Sequence, residues 1–161
     1  MPELPADTFA AVQHFCEEGD RLAADDRFDD ALDQFRQAWD LLPEPREDWS
    51  ATLWLLGAIG DMHYFRGAFA DGRNALTDAM TVFLEAPSNP NLCLRLGQCH
   101  YELGDEESAA RWLRAAYDQA GDDVFEEEDP KYLAFLQGRP AGPSEPRPSG
   151  SGGLPSEGPI E

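Results

Sequence analysis

The stretch LCLRLGQCHYELGDEESAARWLRAAYDQAG, Leu92 to Gly121, decides the reading of this chain. Small residues recur in it at Gly97, Ala109 and Ala116, with Leu113 one turn before the last. The same order appears in FCEEGDRLAADDRFDDALDQFRQAWDLLP (Phe15 to Pro43), where Gly19 is followed by Ala31, Phe35 and Ala38. Between them, LLGAIGDMHYFRGAFADGRNALTDAMTVFLEAP (Leu55 to Pro87) places Gly60 before Gly72, Leu76 and Ala79 at matching distances. Self-similarity at a fixed offset is the sequence mark of a repeat architecture. Glycine or alanine lets two helices cross closely, and the large apolar residue beside the crossing fills the remaining space. Three helical hairpins in series are therefore predicted, with turns at Asp25–Arg27, Arg66–Ala68 and Leu103–Asp105.

Stop and start signals agree. Asp7 or Thr8 is expected to cap the first helix and Asp48 the third, while Ser88-Asn89-Pro90 joins a polar cap to a proline in the first turn. Asp129-Pro130 repeats that signal ahead of PKYLAFL, a short helix whose Tyr132, Leu133, Phe135 and Leu136 can cover the exposed end of the stack.

The pattern resembles the tetratricopeptide repeat, a helix pair of about 34 residues, over roughly Thr8 to Gly121. The first and third units fit well; the second has Gly72 where alanine is usual. The expected architecture is all-α, a helical-hairpin solenoid of three repeats (about 12–45, 53–86 and 90–123) with a capping helix at 130–137. Residues 1–7 are a lead-in to the helical domain at 8–137. A proline-, glycine- and serine-rich tail, 138–161, has almost nothing to bury and reads as disordered.

Composition bounds the function. Across 161 residues, 32 acidic side chains face 12 basic ones, for a net charge of -20, while 42% of residues are apolar. A single core can be filled, and nucleic acid and anionic membranes would be repelled. The opening MPELPADTFAAV has neither a basic nor an apolar leader region and no apolar run is long enough to span a bilayer, so the cytoplasm is the expected location. Cys16, Cys93 and Cys99 sit in periodic apolar segments and read as reduced core thiols. Cys93 and Cys99 are about 120° apart around a helix, and no metal-binding pair of cysteines or histidines is spaced for ligation. No nucleophile elbow, phosphate loop or dinucleotide fingerprint is present, so neither an enzyme nor a cofactor is expected.

In such a stack the first helices of the hairpins line a concave face. By alignment that face carries Gln13, Cys16 and Asp20, then Trp54, Asp61, Tyr64 and Phe65, then Asn91, Gln98, Tyr101 and Glu102. Aromatic anchors among carboxylates suit a basic, partly apolar partner; the alternative is that Trp54 and Phe65 only pack between helices. Some tetratricopeptide domains hold a peptide carboxylate with Lys, Asn and Arg at these places. Here they hold Cys16, Asp20, Gly57 and Asp61, which reverses the sign of the partner. Two further clusters, Asp26, Asp29, Asp30 and Asp33, and Glu126, Glu127 and Glu128 within the acidic run, serve either solubility or mimicry of nucleic-acid charge against a basic active site.

EDWSATLWLLGAIGDMHYFRGAF, LRLGQCHYELGD and GDDVFEEEDPKYLAFL resemble small acidic tetratricopeptide proteins encoded beside bacterial polymorphic toxins of the Rhs type. That resemblance implies an immunity protein, which binds a basic toxin domain and occludes its site. The alternatives are a type III secretion chaperone, holding an extended effector segment, and a general scaffold. Three repeats and one cap are near the minimum for a stable stack, which leaves monomer and weak homodimer both open.

Overall fold

The computed structural model describes residues 3–138 and is all-α, with no strand among them. Its helices are α1 (Ala6–Ala24), α2 (Phe28–Leu41), α3 (Ser50–Phe65), α4 (Phe69–Val82), α5 (Pro90–Glu102), α6 (Glu106–Ala120) and α7 (Pro130–Leu136), with short 3-10 turns at Arg46–Asp48, Ala86–Ser88 and Gly121–Phe125. Neighbouring helices pair as α1 with α2, α3 with α4 and α5 with α6. Each hairpin rests on the next through α2 against α3 and α4 against α5, and α7 lies on α6.

The small residues hold each crossing. A Cβ placed on Gly19 would stand 2.5 Å from Phe35 Cε1, one on Gly60 2.6 Å from Leu76 Cγ, and one on Gly97 2.7 Å from Leu113 Cγ. These approaches are closer than real Cβ contacts come, so a side chain at any of the three places would force its partner to move. The facing Phe35, Leu76 and Leu113 are fully buried, and each contributes about 2–3 kcal/mol by leaving water. Ala31, Ala38, Ala79, Ala109 and Ala116 have no exposed surface. Gly72 stands where the other two units have alanine because α5 intrudes there: a Cβ would meet Cys99 Sγ at 3.0 Å and the Gly60 carbonyl oxygen at 3.3 Å.

The hairpin turns fall where the sequence places them, each with one left-handed residue: Asp26 (φ 60°), Gly67 (φ 80°) and Gly104 (φ 85°). Aspartate tolerates that conformation better than most side-chain-bearing residues. Asn89 and Asp129 cap α5 and α7 as expected, accepting from the backbone N–H groups of Asn91 and Leu92 and of Lys131. The other two expected caps differ. The first helix begins at Ala6 behind Pro5, ahead of the expected boundary at residue 8, so part of the lead-in is already helical. Asp48 lies in a 3-10 turn, and α3 starts after Trp49, whose indole Nε1 donates to the Pro43 carbonyl at 2.7 Å while Thr52 Oγ1 donates to that of Arg46 at 2.5 Å. Tertiary contacts of an aromatic ring thus fix a helix start that a capping aspartate does not. The capping helix ends at Leu136, and apart from Gly138 the expected tail lies outside the described residues.

Candidate binding face

The face residues come from α1, α3 and α5, and they fall into two groups with different surroundings. In the C-terminal group an internal arginine takes the carboxylates. Arg95 Nε donates to Asp61 Oδ1 at 2.8 Å, and its Nη1 donates to Gln98 Oε1 at 2.8 Å and Glu128 Oε1 at 3.3 Å. Its guanidinium lies 4.5 Å from the centre of the Tyr64 ring and 4.7 Å from that of Phe65. A planar cation that stacks and hydrogen-bonds at once is the particular property of arginine. Burial by itself would lower the Arg95 guanidinium, but Asp61 and Glu128 hold it above its ordinary range. Burial likewise pushes the Asp61 carboxyl up, and Arg95 opposes the shift.

Beside this cluster α7 docks through its tyrosine. Tyr132, which is 2% exposed, donates to Glu102 Oε2 at 2.5 Å. Its hydroxyl also lies 2.8 Å from that of Tyr64. With its one proton given to the carboxylate, Tyr132 accepts from Tyr64. Lys131 Nζ reaches the same Glu102 oxygen at 2.9 Å. The rings of Tyr132 and Phe135 meet Tyr101 edge to face at 5.3 and 5.2 Å. Burial, then the bond to Glu102, raises the Tyr132 phenol well above its usual range.

The expected contact set is therefore divided. Gln98 is fully buried and donates from Nε2 to Glu128 Oε1 at 2.7 Å, so it is an internal bridge and no part of an open face. Tyr64, Tyr101 and Glu102 are half-covered by the segment that follows α6. Glu128, expected in an acidic surface cluster, turns inward onto Arg95 and Gln98. Phe65 stays 45% exposed at the edge, stacked on Phe28 at 5.1 Å. Sequence reasoning missed Arg95, although it stands between Asn91 and Gln98 on the same stripe of α5. A lone cation on that stripe is the signal in the sequence that points to it.

The N-terminal group is open. A cleft of about 390 Å³ runs between α1, α3 and the start of α5, with Trp54, Gly57, Ala58 and Leu92 as its apolar wall and Asp20 and Asp61 beside it. Trp54 is 48% exposed, its ring edge-on to Phe35 at 5.8 Å. The Asp20 carboxylate makes no hydrogen bond or ion pair among the described residues, and partial burial followed by the neighbouring Glu17 raises its carboxyl. Gln13 is spent on Glu17 at 3.2 Å, and the half-buried Cys16 thiol is pushed up to about 11, chiefly by burial, which leaves it protonated and unreactive. A second hollow of about 470 Å³ is bordered by Asn91, Arg95 and the carboxylates of Asp123, Glu126, Glu127 and Glu128. Of the first acidic cluster, Asp29 binds Arg66 at 2.5 Å and Asp30 binds Arg27 at 2.7 Å, while Asp26 and Asp33 are exposed.

His63 is 5% exposed, its Nδ1 has no hydrogen-bond partner among the described residues, and burial pushes its imidazole below the ordinary range, which favours the neutral ring. Among the described residues no three histidine, cysteine or acidic side chains gather to hold a metal, and no helix is long and apolar enough to cross a membrane. The chain matches no protein-family model and no curated protein.

Proposed function

We propose that the three hairpins are tetratricopeptide-type repeats whose first-helix face docks a basic protein. The observation that carries this reading is the open cleft, which an exposed tryptophan lines together with Asp20 and Asp61 on a chain of net charge -20. An aromatic anchor in a concave apolar wall supplies affinity, and the surrounding field speeds encounter with a cationic partner. The resemblance of the acidic repeats to proteins encoded beside polymorphic toxins makes the specific proposal an immunity protein of the cytoplasm, which covers the basic active site of a toxin domain.

The test is capture by the tagged full chain from its native cells at low and high salt, followed by co-expression of the captured protein with and without this chain. One stoichiometric basic toxin domain, lethal alone and harmless in company, is the expected outcome. A secreted protein held by one extended segment overturns immunity in favour of a chaperone. No stoichiometric partner at either salt removes the docking reading.

A further inference from the structure

Gly19, Gly60 and Gly97 each pack against a large apolar residue at the same offset along the chain (Phe35, Leu76 and Leu113), which puts the three first helices in register. In that register Asp20 corresponds to Asp61, and Ala58 corresponds to Arg95. The third repeat thus sends an arginine back onto the aspartate of the second, whereas the second repeat has only a methyl group facing the aspartate of the first. The space such an arginine would fill is the open cleft, since Asp20, Ala58, Trp54 and Asp61 all line it. The geometry points to this cleft as a site for an arginine side chain of the partner, placed where the next repeat uses its own. This rests on the reading of the face as a docking surface for a basic protein.

The chemistry of the neighbouring arrangement shows what the cleft can do. Around Arg95 a carboxylate 2.8 Å away takes the charge while aromatic rings at 4.5 and 4.7 Å take the flat faces. In the cleft Asp20 stands without a cation among the described residues, Asp61 keeps 42% of its side chain exposed beyond its bond to Arg95, and Trp54 offers a ring. Trp54 has no counterpart at the bed of Arg95, where Tyr64 and Phe65 do the stacking, so the aromatic support comes from a different side. Arginine suits this better than lysine, because its stem and plane can lie on the apolar wall while its fork reaches a carboxylate.

The probe is acetyl-Ala-Arg-Ala-amide, with the neutral citrulline peptide beside it, titrated into the full chain labelled with nitrogen-15. Saturable shifts are expected at the Trp54 indole N–H and at the Asp20, Ala58 and Asp61 amides, with the citrulline peptide weaker by about five-fold or more. Asp20→Asn lowers the affinity of the arginine peptide about three-fold with the spectrum otherwise unchanged. Ala58→Arg, which restores the third repeat's arrangement, abolishes peptide binding while the chain stays folded. Equal binding of both peptides, or no shift at the cleft, overturns the inference. Shifts confined to Asp123, Glu126 and Glu127 overturn it while leaving the basic-partner reading intact, and cleft shifts that grow with protein concentration alone assign the cleft to a second copy and overturn it too.

Discussion

The two ends of the first-helix face are built from similar hairpins and reach opposite states. Around α5 the carboxylates, tyrosines and amide are consumed by Arg95, Glu128, Lys131 and Tyr132, and the segment after α6 closes the face. Around α1 the equivalent aspartate has no cation among the described residues, the equivalent of Arg95 is alanine, and a tryptophan stands in the open. Equivalent backbone positions therefore do not carry equivalent roles. A face position is a binding residue only where the chain itself leaves it unfilled, and one long side chain decides that for several neighbours.

The largest effect should come from the part both ends share. Gly97→Ala forces a methyl group against Leu113, where the backbone nitrogen as well as Cγ is within 3 Å of the new atom, and should cost about 3 kcal/mol. At Gly19 the obstacle is the far end of the Phe35 ring, which can shift, so Gly19→Ala should cost about 1–2 kcal/mol. Urea midpoints of the two variants would reveal the difference, and equal losses would mean that the two crossings yield alike.

Arg95→Met breaks the closed end alone. It strands Asp61 and Glu128 together, but Asp61 is 42% exposed, so the loss should fall below that of a fully buried pair, at about 2 kcal/mol. Hydrogen exchange should speed most in α7 and at Glu128; a uniform increase over all three hairpins would show that Arg95 serves the whole stack.

Tyr132→Phe removes one bond to Glu102 and one from Tyr64, a loss of about 1–2 kcal/mol near neutral pH. The sign of its alkaline dependence follows from the raised phenol. Once pH rises through the ordinary tyrosine value of 10.0, the unfolded chain releases a proton that folded Tyr132 keeps, so alkali favours unfolding. The fall in stability above that pH should be shallower in Tyr132→Phe than in the parent, measured by denaturant titration at each pH; parallel curves would mean that Tyr132 ionises freely in the folded state.

The smallest effect belongs to the open end. Asp20→Asn should change stability by no more than about 0.5 kcal/mol, because no cation among the described residues pairs with it. A larger drop in the melting temperature than this implies would show that Asp20 has a structural partner and that the two ends are less different than described.

Much of this was legible from residue order. The hairpins, their turns, the caps at Asn89 and Asp129 and the short final helix all follow from local chemistry: small residues at crossings, left-handed turn residues and polar caps ahead of proline. The start of α3 was not, because Trp49 and Thr52 reach back to the Pro43 and Arg46 carbonyls across the turn. The face was legible as a set of positions and misleading as a set of contacts. Gln98 and Glu128 read as surface groups and are internal, since Arg95 draws both inward where the third hairpin packs on the second.

The sequence by itself determined the all-α hairpin series, because the spacing of glycine, alanine and large apolar residues acts within one hairpin and needs no knowledge of distant partners. Only the tertiary structure decided which part of the face is available. That choice depends on where the Arg95 guanidinium and the Tyr132 hydroxyl come to rest, and a few ångströms separate a carboxylate satisfied from within from one left facing solvent.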